Sequence, residues 1–276
     1  MYEAGCYRGI TAPHAPILIS EIGGREVEKV RSTVKALESI SRELEKYDPD
    51  TIAIMSPHSI FSQNSFIIND GSLLTGSFQN FGFAELSYSF KGDDEFLSAL
   101  TDAMTSSAVP FIPMSIEGKY SGSSSILDHG ILVPLHFMTS RIKPKLVPIS
   151  ISGLSLEDHF KVGQCIFEAA KNAGRKVVFI ASGDLSHRLT RLAPAGYDLM
   201  GMEFDSKIVN IFKSGDLLGI FTLSEDMIHR AGQCGLRSIA ALAGLASKFK
   251  NRIRMLSYEG PFGVGYMVAD LIAEDF

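Results

Sequence analysis

Four histidines sit in short segments, marked by Gly, Pro or Ser, that each interrupt an apolar run: Ala12-Pro13-His14-Ala15-Pro16, Ser56-Pro57-His58-Ser59, Leu127-Asp128-His129-Gly130 and Ser182-Gly183-Asp184-Leu185-Ser186-His187. Imidazole is the commonest side-chain metal ligand and the commonest general base near neutral pH, so this grouping points to a metal site built from loops. A chain with 7 His places some of them in loops by chance. Four in one arrangement argue for purpose. At least three follow runs that read as buried strands: Tyr7–Thr11 before His14, Thr51–Met55 before His58 and Lys176–Ala181 before His187. In an α/β sheet, the loops at one edge of the strands are where ligands collect.

The elements that must carry these loops follow from hydrophobic period. From about Glu26 to Tyr47, apolar groups at Val27, Val30, Val34, Leu37, Ile40 and Leu44 form a helical stripe, broken by Asp48-Pro49-Asp50. Thr51–Met55 is the next strand. Phe66–Ile68 and Leu86–Phe90 read as strands within a polar stretch, and Asp93–Ser106 as a helix with an acidic first turn. Ile126–Thr139 reads as helix despite Pro134, Lys145–Ile151 as strand, and Leu156–Ala173 as helix closed by Gly174. Val177–Ile180 is the most sheet-like run. Helices near Tyr197–Lys213 and Glu225–Phe249 precede a closing pair of strands, Arg252–Tyr258 and Val264–Leu271. Strands alternating with amphipathic helices predict an α/β fold: a central, mostly parallel or mixed β-sheet with helices on both faces, as a single domain over residues 1–276.

Composition narrows the function classes. Of 276 residues, 45% are hydrophobic and 21% charged, enough for a large core in a soluble protein. A net charge of −5, with no cluster of Lys or Arg interleaved with aromatics, argues against nucleic acid as a partner. No apolar run reaches the roughly 18 residues of a membrane span, and no signal-peptide pattern opens the chain, so a cytoplasmic location is expected. The three cysteines, Cys6, Cys165 and Cys234, form no CxxC pair and fit free thiols in a reducing compartment.

Taken in order and spacing, the four histidine segments, with Val133-Pro134-Leu135, Ala231-Gly232-Gln233-Cys234-Gly235 and Gly263-Val264-Gly265-Tyr266, resemble the class III extradiol dioxygenase superfamily. That superfamily unites the large subunit of protocatechuate 4,5-dioxygenase with the Memo-like proteins, and the resemblance covers almost the whole chain. It implies the class III catalytic-subunit fold and a facial triad of two histidines and a glutamate on Fe(II), open to substrate and O2. His14 and His58 match the two histidines. The glutamate position falls on Cys234, as in the Memo-like branch. A thiolate keeps the charge arithmetic of two neutral imidazoles and one monoanion, but its softness shifts preference toward Zn or Cu. The other reading of Cys234 is a small buried hydrophobe on the face of the Glu225–Phe249 helix. His187 matches the family's catalytic histidine, which takes protons from a catechol and returns one during ring opening. His129 matches a histidine of the family that either contacts the substrate or supports the site from behind the ligands, and counts with His187 among the catalytic candidates; otherwise it is a solvent-facing residue at a helix start. Asp184 either orients His187 or, with Ser186, caps the following turn.

The other candidates carry less chemistry. His159, among Glu157, Asp158 and Lys161, reads as part of a solvated helix face, and His229 stands five residues before Cys234, off the helical pairing distance. His136, seven residues after His129, shares its helix face only if Pro134 introduces no kink. Glu259, between a strand and a Gly/Pro turn, and Phe262 are expected as pocket residues, with Phe81 and Phe83 as further aromatic walls. Two functions remain open. One is an Fe(II)-dependent, extradiol-type oxidoreductase that cleaves a catechol-like aromatic with O2, as a homo-oligomer or with a small accessory subunit. The other is a Memo-like protein that binds metal or peptide without ring cleavage. A cysteine hydrolase using Cys234 and His187 leaves His14 and His58 without a role.

Overall fold

The computed structural model describes residues 4–117 and 125–274. The chain runs β1 (Gly5–Ala12), α1 (Ser20–Gly23), α2 (Arg31–Tyr47), β2 (Thr51–Ser56), β3 (Phe66–Ile68), β4 (Leu73–Phe78), β5 (Phe83–Lys91) and α3 (Asp94–Ser106). There follow β6 (Phe111–Pro113), β7 (Ser125–Ile126), α4 (His129–Met138), β8 (Lys145–Ser150), α5 (Leu156–Asn172) and β9 (Lys176–Ser182). The last part is α6 (Leu199–Ser214), α7 (Glu225–Ala231), α8 (Leu236–Ala246), β10 (Asn251–Glu259) and β11 (Tyr266–Ala273).

Eight strands form one mixed sheet in the order β10-β11-β1-β9-β2-β8-β3-β6, and β5-β4-β7 form a small second sheet. The four central strands β1, β9, β2 and β8 are parallel to one another, whereas the β10-β11 hairpin joins β1 antiparallel at one edge. Central parallel strands are covered on both faces, which is why Thr51–Ser56 is buried at every position. Alternation sends Ala53, Met55, Val177, Phe179 and Ala181 into a core with α3, α5, α6 and α8. Ile52, Ile54, Val178 and Ile180 enter a second core with α2, α4 and the small sheet. No helix among the described residues is long and apolar enough to cross a membrane.

Four of the described helices start on side-chain caps: Asp93 accepts the Phe96 amide at α3, Ser155 the Asp158 amide at α5, Asp198 the Met200 amide at α6 and Ser224 the Met227 amide at α7. Helices α5 and α8 cross at van der Waals closeness because each offers a glycine. A methyl at Gly163 would collide with the Ala241 carbonyl, and one at Gly244 with the Phe160 carbonyl.

Three expectations are corrected. The stretch Glu225–Phe249 is two helices, because Gly232 adopts a left-handed conformation (φ 59°) and ends α7, so Cys234 lies in a break and on no helix face. Helix α4 begins at His129, three residues later than the apolar pattern suggests, because Ser125–Ile126 pairs with Leu74 and Thr75 of β4. His159 is fully buried: it accepts the Ser152 amide at Nε2, bonds the Ser155 carbonyl through Nδ1 and meets the Phe66 ring edge-on. Burial holds its pKa down at about 4, so it is a neutral core residue that ties the β8–α5 connection together.

Candidate metal centre

Parallel neighbours end at the same edge of a sheet, and here the ends are in register: Ala12 of β1 is opposite Ser182 of β9, and Met55 of β2 opposite Ala181. The chain therefore delivers His14, His58 and the Asp184–His187 segment to one rim. The α7–α8 break brings Cys234 to the same place. His14 Nε2, His58 Nε2 and Cys234 Sγ converge: the nitrogens are 3.0 Å apart, the sulfur is 3.6 Å from His14 Nε2, and all three atoms lie within 4.8 Å of one another.

The hydrogen bonds around His14 fix its tautomer. The Ser182 hydroxyl has one proton and donates it to the Gly130 carbonyl, so at Ser182 Oγ it accepts from His14 Nδ1–H at 3.0 Å. Nε2 is left as a bare lone pair facing the other two donors. Burial, and then the neighbouring His58 and His129, hold the His14 pKa well below the usual imidazole value, so it is neutral. His58 is exposed, at the mouth of the site. Two imidazole nitrogens facing each other at this distance, with a sulfur beside them, are a mutually repulsive set of lone pairs unless a cation or proton lies among them. The donor set fits a divalent metal: two neutral nitrogens and one potential thiolate.

Asp184 organises the thiol side through its backbone and the imidazole side through its carboxylate. Its amide donates to Cys234 Sγ at 3.3 Å, and its carbonyl accepts from the Cys234 and Gly235 amides. Its carboxylate accepts the His14 amide at 3.0 Å, with the second oxygen 3.9 Å from His14 Nε2. Burial pushes the Asp184 carboxyl up to about 6. Burial, and next the Asp184 charge, push the Cys234 thiol well above the ordinary thiol range, so the thiol keeps its proton until a cation displaces it.

His187 stands near His14 and Asp184, and its Nδ1 is buried without a hydrogen-bond partner. Its loop is pinned from below. Ser186 donates its amide to Asp205 Oδ1 at 2.8 Å and its hydroxyl to the Ala231 carbonyl, and Tyr258 donates to Asp205 Oδ2 at 2.7 Å. Burial raises the Asp205 carboxyl to about 7. His129 stacks on His58 with ring centroids 4.2 Å apart, and Phe81 meets His129 edge-on at 5.5 Å. Beside these rings opens a groove of about 660 Å3 lined by Thr75, Ser77, Ser87, Tyr88, Phe81 and His129, among others. A tighter apolar cavity of about 150 Å3 lies against His58, Ile60, Ile67, Met114 and Ile131.

Glu259 and Phe262 line neither cavity. Glu259 Oε1 accepts the Thr33 amide at 2.7 Å and the Thr33 hydroxyl at 2.6 Å, which closes the first turn of α2. Phe262 packs on the second core with Lys29 over its ring. His136 leaves the site for the Tyr88 hydroxyl at 2.7 Å, and His229 is exposed on α7. Sequence reasoning missed Ser182 and Asp205 as supports. Their partners lie 168 and 19 residues away, beyond any local pattern.

A parallel α/β sheet with metal-competent donors at its carboxyl edge defines a class of proteins that bind ligands over strand ends. The model of the catalytic LigB subunit of aromatic ring-opening dioxygenase matches residues 8–269, and the chain belongs to this LigB family, the class III extradiol dioxygenases. It is 36% identical to a protein of Clostridium acetobutylicum over 95% of this chain and 56% of that one. It is 23% identical to the 3,4-dihydroxyphenylacetate 2,3-dioxygenase of Escherichia coli over 73% of this chain and 75% of the enzyme. A MEMO1 family protein of Methanosarcina barkeri is 30% identical over 48% of this chain and 47% of its own length. The chain thus spans about half the length of two of these relatives. In structure it is similar to an uncharacterized protein from Escherichia coli K12, with a TM-score of 0.62 at 14% identity, covering 97% of this chain and all of that one. That likeness bears on the fold.

Proposed function

We propose that the chain is a metal-dependent oxidoreductase in which His14, His58 and Cys234 hold one divalent ion and a catechol-like aromatic enters beside His129 to react with O2. The carrying observation is the convergence of two imidazole nitrogens and one sulfur within 4.8 Å at the sheet edge. Fe(II) is the ion the family resemblance implies, with Zn or Cu favoured by the sulfur. When bound, Fe(II) would supply open coordination positions for a vicinal diol and for O2. The chain's own residues do the rest. His187, with an unpartnered Nδ1, is the group that takes a proton from an entering hydroxyl and returns it. His129 and Phe81 offer ring surfaces to a planar substrate, and Ser77, Ser87 and Tyr88 offer it neutral hydrogen-bonding groups.

A second reading, metal binding of the MEMO1 kind without ring cleavage, is favoured by one observation: the third donor is the thiol of Cys234. Metal analysis of anaerobically purified protein, with His14→Ala as control, followed by O2 uptake with a panel of catechols, separates the two. About one iron per chain, lost in the control, with substrate-dependent uptake supports the oxidoreductase. Tight metal binding with no uptake supports the second reading.

A further inference from the structure

We infer that the tripeptide Asp128-His129-Gly130 at the start of α4 sets the placement of both imidazole donors, with Asp128 as the positioning residue. The inference rests on the reading that His14 and His58 hold a metal. Asp128 stands at the N-cap position of α4, where an aspartate normally accepts an amide of its own first turn, yet its side chain makes no such bond. Both carboxylate oxygens turn to the neighbouring loop instead. Oδ1 accepts the Ser56 hydroxyl at 2.7 Å and Oδ2 the Ser59 hydroxyl at 2.6 Å, so the carboxylate brackets Pro57-His58 from both sides. Ser56 Oγ also accepts the His58 amide at 3.2 Å, which closes the bracket on the residue that carries the donor.

The next two residues complete the hold. The His129 ring lies on the His58 ring, 4.2 Å between centroids and inclined by 34°. The Gly130 carbonyl accepts the Ser182 hydroxyl, whose oxygen in turn fixes His14 Nδ1–H. A methyl at Gly130 would press on Ser56 Oγ and Asp128 Oδ1, two atoms of the bracket itself. Three consecutive residues thus reach both imidazoles, one through a carboxylate and a stacked ring, the other through a carbonyl–hydroxyl relay. Outer partners that hold ligands in this way commonly change metal affinity by about 10–100-fold when removed.

Co(II) alone is the probe, titrated anaerobically into the unaltered chain and into Asp128→Ala, Asp128→Asn and Ser59→Ala. The readouts are the dissociation constant, the thiolate-to-Co(II) charge-transfer band and the d–d bands, beside the apo-protein circular dichroism. Asp128→Ala should weaken Co(II) binding about 10–100-fold and shift the d–d bands, with Asp128→Asn intermediate. Ser59→Ala removes one arm of the bracket and should cost about fivefold with the fold intact. Unaltered affinity and unshifted bands in Asp128→Ala overturn the inference. Should Asp128→Ala fail to fold, wild-type affinity and bands in Ser59→Ala overturn it equally. No Co(II) binding by the unaltered chain overturns the metal reading itself, and this inference with it, whereas binding without the charge-transfer band removes Cys234 alone from the donor set and leaves the Asp128 comparison decisive.

Discussion

The imidazole half of the donor set and its thiol half are built on different principles. His14 and His58 hang from the ends of parallel strands, and His14 is buried, neutral and held in one tautomer by Ser182. Cys234 sits in a break between two helices, half-buried, with its sulfur taking the Asp184 amide and its proton retained by burial and the Asp184 charge. In the first half, His14 presents a lone pair ready for a cation. The second must release a proton to do so. On the proposed reading, metal binding exchanges one proton for one cation on the helix side.

The sharpest test of that division removes one donor from each half. Cys234→Ala deletes a negative charge as well as a ligand and should weaken metal binding on the order of 1,000-fold, whereas His58→Ala, losing a neutral donor, should cost nearer 100-fold, both by isothermal titration. Equal losses would erase the distinction between the halves. Next in size is the buried acid beneath the His187 loop. Asp205, raised by burial to about 7 from 3.8, should make folding stability fall by about 3–4 kcal/mol as pH rises from 4 to above 7. The sign follows from linkage: the unfolded chain ionises near pH 4 while the native carboxyl keeps its proton, so the contribution is whole below the unfolded value and lost through the folded one. Asp205→Asn should flatten that slope in urea unfolding. A slope unchanged by the substitution would place the effect elsewhere.

A smaller test follows the proton itself. Between pH 7 and 9 the apparent metal affinity should rise about tenfold per pH unit, and Cys234→Glu, whose carboxylate is already ionised, should abolish most of the rise. His14, neutral throughout that range, adds nothing to it. The smallest effect is expected at Ser182→Ala, which frees the His14 tautomer and should weaken metal binding about tenfold with the pH slope intact. A changed slope would show that the two halves are coupled.

How far the molecule was legible in its sequence depends on the range of the interactions concerned. The parallel strands were readable because Thr51–Met55 and Val177–Ile180 are apolar on both faces, and a strand buried on both faces has no other composition. His14, His58 and His187 stood out because each follows such a strand. The converging thiol came from the family pattern, since nothing local in Ala231–Gly235 announces a ligand. Periodicity failed where chain reversal competes with it. Gly232 breaks an apolar pattern that otherwise continues through Ala246, and the short pairing of Ser125–Ile126 with β4 takes residues an amphipathic count assigns to a helix. His159 was misread because its polar sequence neighbours conceal a side chain turned under the helix onto Phe66. Glu259 stood beside the right loop, yet its carboxylate serves Thr33, across 226 residues of sequence.

The glycine crossing of α5 and α8 bears on how such a site changes over generations. The seat of α8 is decided by Gly163 and Gly244, where backbone meets side-chain-free backbone, and Gly244 lies eight residues, or about 12 Å of helix, beyond Leu236. The donor position just before Leu236 thus inherits its place from an anchorage that is indifferent to which side chain it bears. A carboxylate could stand there in place of the thiol without disturbing that crossing, and would favour a harder metal. Chemical identity at this position is a fitting separable from its mount.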